Sequence, residues 1–141
     1  CNISDADSTT EAFMSSLNRP LSGPLLIFNL REQLAEMRQE EGFSRGGRAG
    51  RTLTKAGRMR LVLVAMVEGN VIHTNQAESP LTIHVLEGEI TFRADDSDHQ
   101  MHEGEILFFG PGDAHDITAI RPSSLLITIS AIGDDYDSDL F

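Results

Sequence analysis

Residues 73–92 read HTNQAESPLTIHVLEGEITF and residues 104–115 read GEILFFGPGDAH. In the first block Leu81, Ile83 and Val85 alternate with Thr82 and His84, and beyond the Glu87-Gly88-Glu89 turn Ile90 and Phe92 alternate with Thr91 and Arg93. A period of two is the pattern of a half-buried β-strand. In the second block Ile106 to Phe109 predicts a strand and Gly110-Pro111-Gly112-Asp113 a tight turn, after which His115-Asp116-Ile117-Thr118-Ala119 returns. His115 shares the parity of Ile117 and Ala119, so its imidazole is expected to point inward. By the same rule His84 faces outward, and His99 and His102 fall on opposite faces of a short surface strand.

The segments around these blocks continue the pattern. Arg58 to Val67 is apolar on both faces, with Leu61, Leu63, Ala65 and Val67 on one and Val62, Val64 and Met66 on the other, so both sides need cover. The amino-terminal segment or a second subunit can supply it. Asn29 has Glu32 three residues on, in capping-box spacing, and Leu30, Leu34 and Met37 recur on one face, predicting a helix over 30–41 that stops at Gly42 and whose apolar stripe makes it a lid on the barrel. Leu25 to Phe28 predicts an edge strand, and Leu125 to Ala131 the last strand. Turn signals recur between short apolar runs, so the fold class expected is all-β. Residues 1–24 read as an arm, 25–132 as one domain, and 133–141 as an acidic tail.

The 141 residues carry 22 acidic and 11 basic groups, a formal charge of -11. Nucleic-acid phosphates are bound by an excess of Lys and Arg, so this balance argues against a nucleic-acid partner. Arg45, Arg48, Arg51, Lys55, Arg58 and Arg60 concentrate the basic charge locally, either paired with acids such as Glu40, Glu41 and Glu68 or forming an anion-binding lip. No apolar run reaches the ~18 residues of a membrane span, so no membrane partner is expected and the expected location is cytoplasmic. Cys1 is the single cysteine, which excludes an internal disulfide.

The two glycine-punctuated blocks resemble the paired motifs of the cupin superfamily. The first motif of that family carries a glycine, His-x-His, a glutamate and a further glycine; the second carries Gly, Pro-x-Gly and His. Gly69, His73 and Gly88 match the first, and Gly104, Gly112 and His115 the second. Asn75 stands at the second histidine position, Leu81 at the glutamate position, and Gly110 where the proline belongs, with Pro111 shifted by one. The resemblance covers about residues 53–132. It implies a cupin-like antiparallel β-barrel of jelly-roll type with one short amino-terminal helix, commonly a homodimer.

Two functions follow from that resemblance. One is a small-molecule-binding barrel without an assignable reaction, with His73, Asn75, Gln76 and His115 at the pocket mouth. Its cavity would be lined by Leu81, Ile83, Val85, Ile90, Phe92, Met101, Phe108, Ile117 and Ile127. The other is a metal-dependent dioxygenase or isomerase with His73, His115 and Glu78 or Gln76 around iron, manganese, nickel or zinc. An imidazole that titrates near neutral pH can also serve as general acid or base without a metal. No Gly-rich phosphate loop, serine elbow or internal cysteine nucleophile is present, and no catalytic residue is identified.

Overall fold

A computed structural model describes residues 23–74, 79–110, 112 and 114–130. The expected arm and acidic tail therefore lie outside the described residues, apart from Gly23 and Pro24. Among the described residues two helices, α1 (Leu30–Met37) and α2 (Glu41–Gly46), precede nine strands. These are β1 (Arg48–Ala56), β2 (Met59–Met66), β3 (Val71–Thr74), β4 (Leu81–Glu87), β5 (Glu89–Ala94), β6 (Ser97–His102), β7 (Ile106–Phe109), β8 (His115–Ala119) and β9 (Ser123–Ser130).

The strands form two antiparallel sheets, a five-stranded one in the order β1-β2-β9-β4-β7 and a four-stranded one in the order β3-β8-β5-β6. Their inner faces share one apolar core that includes Met66, Ile83, Phe92, Ile117 and Ile127. A second cluster lies on the outer face of the larger sheet, where Leu34 and Met37 of α1 pack on Ala49, Leu53, Leu63 and Ala65. This settles why β2 is apolar on both sides. Val62, Val64 and Met66 enter the inner core, and Leu63 and Ala65 lie beneath α1. The helix supplies the cover, so β2 offers no separate argument for a second subunit.

Asn29 caps α1 as its spacing predicts, its Oδ1 accepting from the Glu32 N–H at 3.1 Å. The single helix expected over 30–41 is instead two. α1 ends at Met37, Glu40 is extended, and α2 runs through Gly42. A glycine inside a helix lowers its stability without ending it; the stop comes at Gly47, whose left-handed φ of 77° lets its N–H return to Phe43 O. Leu25 to Phe28 forms no strand; Phe28 packs beneath α1, while Leu25 and Ile27 are exposed.

The arginine segment is largely absorbed by this layer. Arg51, buried on β1, donates to Gln33 Oε1, Glu36 Oε1 and Glu40 Oε2 at 2.7, 2.8 and 2.7 Å. Arg45 pairs with Glu41, and Arg48 donates to Val71 O and Asn70 Oδ1. For Arg51 and Arg45 the reading as pairs with acids holds, whereas the partners of Arg48 are a backbone carbonyl and an amide.

The β4–β5 turn needs Gly88. Its φ is 88°, and a Cβ there would lie 2.4 Å from Pro122 O and 2.8 Å from Ser123 Cα. The close approach lets Ser123 Oγ accept from Glu89 N–H, locking the start of β9 onto the start of β5.

Candidate ligand-binding site

The inner face of the four-stranded sheet is arranged in rows, because residues directly opposed on antiparallel strands share a face. One row runs Thr74, His115, Ala94, Ser97; the next runs Ile72, Ile117, Phe92, His99. His115 is inward as expected, at 2% exposure, with Ile117 and Ala119 beside it on the same face. Its ring packs between Phe92 (centroids 5.3 Å apart, 27° between planes) and Phe109 (5.1 Å, 64°), and those two rings also meet edge-on at 5.2 Å. Among the described residues neither Nδ1 nor Nε2 of His115 has a hydrogen-bond partner.

Burial pushes the His115 imidazole below its ordinary pKa; the charge of Asp116 opposes this and that of His73 adds to it, both more weakly. The ring is therefore neutral at neutral pH and presents one N–H donor and one bare acceptor. Leaving a buried polar group without a partner costs about 1–3 kcal/mol, and such groups are rare in native proteins.

His73 does not join it. The two histidines stand on adjacent strands, but His115 pairs in register with Thr74 and His73 with Asp116. His73 consequently lies on the outer face, its side chain 57% exposed and its Nδ1 bonded to Asp116 Oδ1. Val71-Ile72-His73-Thr74 puts Ile72 and Thr74 inward, so the inward neighbour of His115 is a hydroxyl. Asn75, Gln76 and Glu78 lie outside the described residues.

The expected lining is buried at Leu81, Ile83, Val85, Ile90, Phe92, Met101, Ile117 and Ile127. Phe108 is a correction: it is 71% exposed, and Phe109 takes the inner position. The register decides this, since Phe109 opposes Leu81 and Leu107 opposes Ile83, whereas Phe108 opposes the outward Thr82. Thr74, Phe109, Leu107 and Ala94 are inner residues that periodicity did not single out. His84 is outward, and His99 and His102 are exposed, as expected.

Residues 61–129 match the family model described as the cupin domain. The chain is a cupin-domain protein of the cupin superfamily. Among solved structures it resembles a cupin superfamily protein from Desulfitobacterium hafniense, with a TM-score of 0.63 and 13% identity over 81% of this chain and 97% of that one. A conserved protein of unknown function from Streptococcus pyogenes aligns with a TM-score of 0.63 and 15% identity, over 80% of this chain and 93% of that one. An RmlC-like cupin from Shewanella frigidimarina aligns with a TM-score of 0.58 and 20% identity, over 65% and 83% of the two chains. At these identities the likeness concerns the fold. No protein of curated function matches the sequence.

Cupins often hold a metal, and the donor geometry can be tested against one. A transition-metal site needs three or four nitrogen, oxygen or sulfur ligands converging at ~2.0–2.3 Å. His73 and His115 point to opposite faces of one sheet, so the pair cannot converge on an ion. Among the described residues no three His, Cys, Asp or Glu side chains cluster in a way that could hold one. The described donors do not fit a metal. No helix among these residues is long and apolar enough to cross a membrane.

Proposed function

We propose that this cupin-like barrel binds a small molecule through His115, with no metal taking part. The carrying observation is a buried, neutral imidazole, gripped by Phe92 and Phe109, whose two nitrogens have no protein partner among the described residues. A neutral ring offers a donor at one edge and an acceptor at the other, so it matches a ligand whose single polar group, such as an amide, a carboxylic acid or a hydroxyl, bonds one of the two nitrogens. The rings beside it favour an apolar or flat body. Asn75 and Gln76, which directly follow β3, are proposed as further polar groups at the mouth. His73 belongs to that reading only as an outer-face neighbour of Asp116. A reaction is not part of the proposal.

The test is a thermal-shift screen of small neutral amides, alcohols and acids on the full chain and on His115→Leu. Ligands that bind only the folded protein raise its melting temperature by mass action. The reading expects hits that raise the melting temperature of the native chain and leave His115→Leu unmoved. Hits that act equally on both proteins, or no hit with either, would sink it.

A further inference from the structure

A cavity adjoins the row that holds His115, with Ala94, its cross-strand partner, in the lining. The four-stranded sheet ends at β6 and the five-stranded sheet at β7, and the cavity, of about 390 Å³, lies between these two edges. It is lined by Phe92, Met101, Leu107, Phe108 and Phe109 on its apolar side, and by Asp95, Ser97 and His99 on its polar side. The register orders these along the cleft. Asp95 sits in the turn, Ser97 follows opposite Ala94, His99 opposes Phe92, and Met101 opposes Ile90. Polarity therefore falls steadily from the β5–β6 turn towards the middle of the strands.

Charge selects the ligand's polar end. Asp95 and Asp96 occupy consecutive left-handed positions, φ 53° and 63°, the conformation of a two-residue hairpin turn. Arg93, on the outer face, engages Asp98 at 2.8 Å and Asp96 at 3.8 Å. Asp95 alone of the three faces the cleft, and among the described residues it has no cationic partner; no Lys or Arg lines the cavity. The apolar end presents Phe92 and Phe109, perpendicular enough to accept a flat ring against one face and one edge, with exposed Phe108 at the rim.

We propose that the β6–β7 cleft is a ligand site separate from the His115 site, and that it takes an aromatic amine. The ring packs on Phe92, Phe109 and Phe108, and the ammonium group meets the Asp95 carboxylate and Ser97 hydroxyl. Phe92 and Phe109 belong to both sites, since they line the cleft and also pack on the His115 ring.

The test uses two probes with the same phenyl ring and opposite head charge, phenethylamine and hydrocinnamate, titrated into the full chain and followed by backbone amide shifts. Phenethylamine is expected to shift Ser97, His99 and Phe108, with hydrocinnamate about tenfold weaker as attraction to Asp95 becomes repulsion. Asp95→Asn, which suits the left-handed turn, should bring the two probes within about twofold of each other. Phe108→Ser, at an exposed position, should weaken both. Equal binding of the two probes to the native chain, or a preference that survives Asp95→Asn, would overturn the assignment. So would shifts that avoid these residues. His115→Leu separates the sites: unchanged phenethylamine binding supports two, and its loss there leaves only one.

Discussion

Arg51 and His115 are both polar groups taken out of water, and the fold treats them in opposite ways. Arg51 lies under α1, and its guanidinium reaches three side-chain oxygens within 2.8 Å. His115 lies between two phenylalanine rings and reaches none among the described residues. The first arrangement joins a helix to a sheet; because its hydrogen-bonding capacity is spent internally, it offers little to a ligand. The second keeps its capacity unspent at some cost to stability, which is the pattern of a group held ready for something else.

Substitution is expected to cost most at Arg51. Arg51→Ala removes the links to Gln33, Glu36 and Glu40 and leaves a void between α1 and β1. Because both carboxylates are about half exposed and can rehydrate, the expected loss is about 2 kcal/mol, less than for a fully buried pair. Urea denaturation measures it. A loss below a few tenths of a kcal/mol would mean that α1 is held by its apolar stripe alone and that Arg51 is no better satisfied than His115.

A smaller effect of opposite sign is expected at His115. Leucine has nearly the same volume and no polar atoms, so His115→Leu removes two unsatisfied nitrogens while losing ring contacts with Phe92 and Phe109. The first relieves about 1–3 kcal/mol and the second costs about 0.5–1.5, so a net gain of about 1 kcal/mol is expected. If the variant is instead less stable by a similar amount, the imidazole is structural and the two buried groups are alike.

How far the sequence foresaw this can be traced residue by residue. The inward direction of His115 was legible because Asp116 and Thr118 alternate cleanly with Ile117 and Ala119. The Asn29 cap and the covered outer face of β2 were legible for similar reasons. His73 was not, because Val71 and Ile72 are both apolar, so parity alone left the face undecided and the motif spacing pointed to the inner one. Phe108 and Phe109 fail in the same manner: Ile106-Leu107-Phe108-Phe109 is apolar at every position, and only the pairing of Phe109 with Leu81 chooses between them. The β6–β7 cleft was invisible for a different reason. It is formed by the two edges of separate sheets, and no local periodicity reports which strands end a sheet.

His115 and Arg51 should also differ, by less, in their response to pH. Burial holds the folded His115 pKa below its ordinary value of 6.5. As pH falls through that value the unfolded chain takes up a proton that the folded ring refuses, so the unfolded state gains and stability declines. The contribution is complete above 6.5 and is lost as pH falls towards the lowered folded value. Glu87 also has a lowered pKa, held down mainly by its bond from Arg38 and then by Ser124, but its stabilisation is lost only below the ordinary carboxylate value of 4.5. The two windows are therefore separable. Between about pH 7.5 and about pH 5 the unfolding free energy of the native chain should fall more steeply than that of His115→Leu, since the remaining histidines are common to both. Arg51→Ala leaves His115 in place, so it should keep the native slope. Parallel curves for the native chain and His115→Leu would show that the ring takes up its proton as easily in the folded protein as in water, and the distinction between a satisfied and an unsatisfied buried group would fail at the site where it matters most.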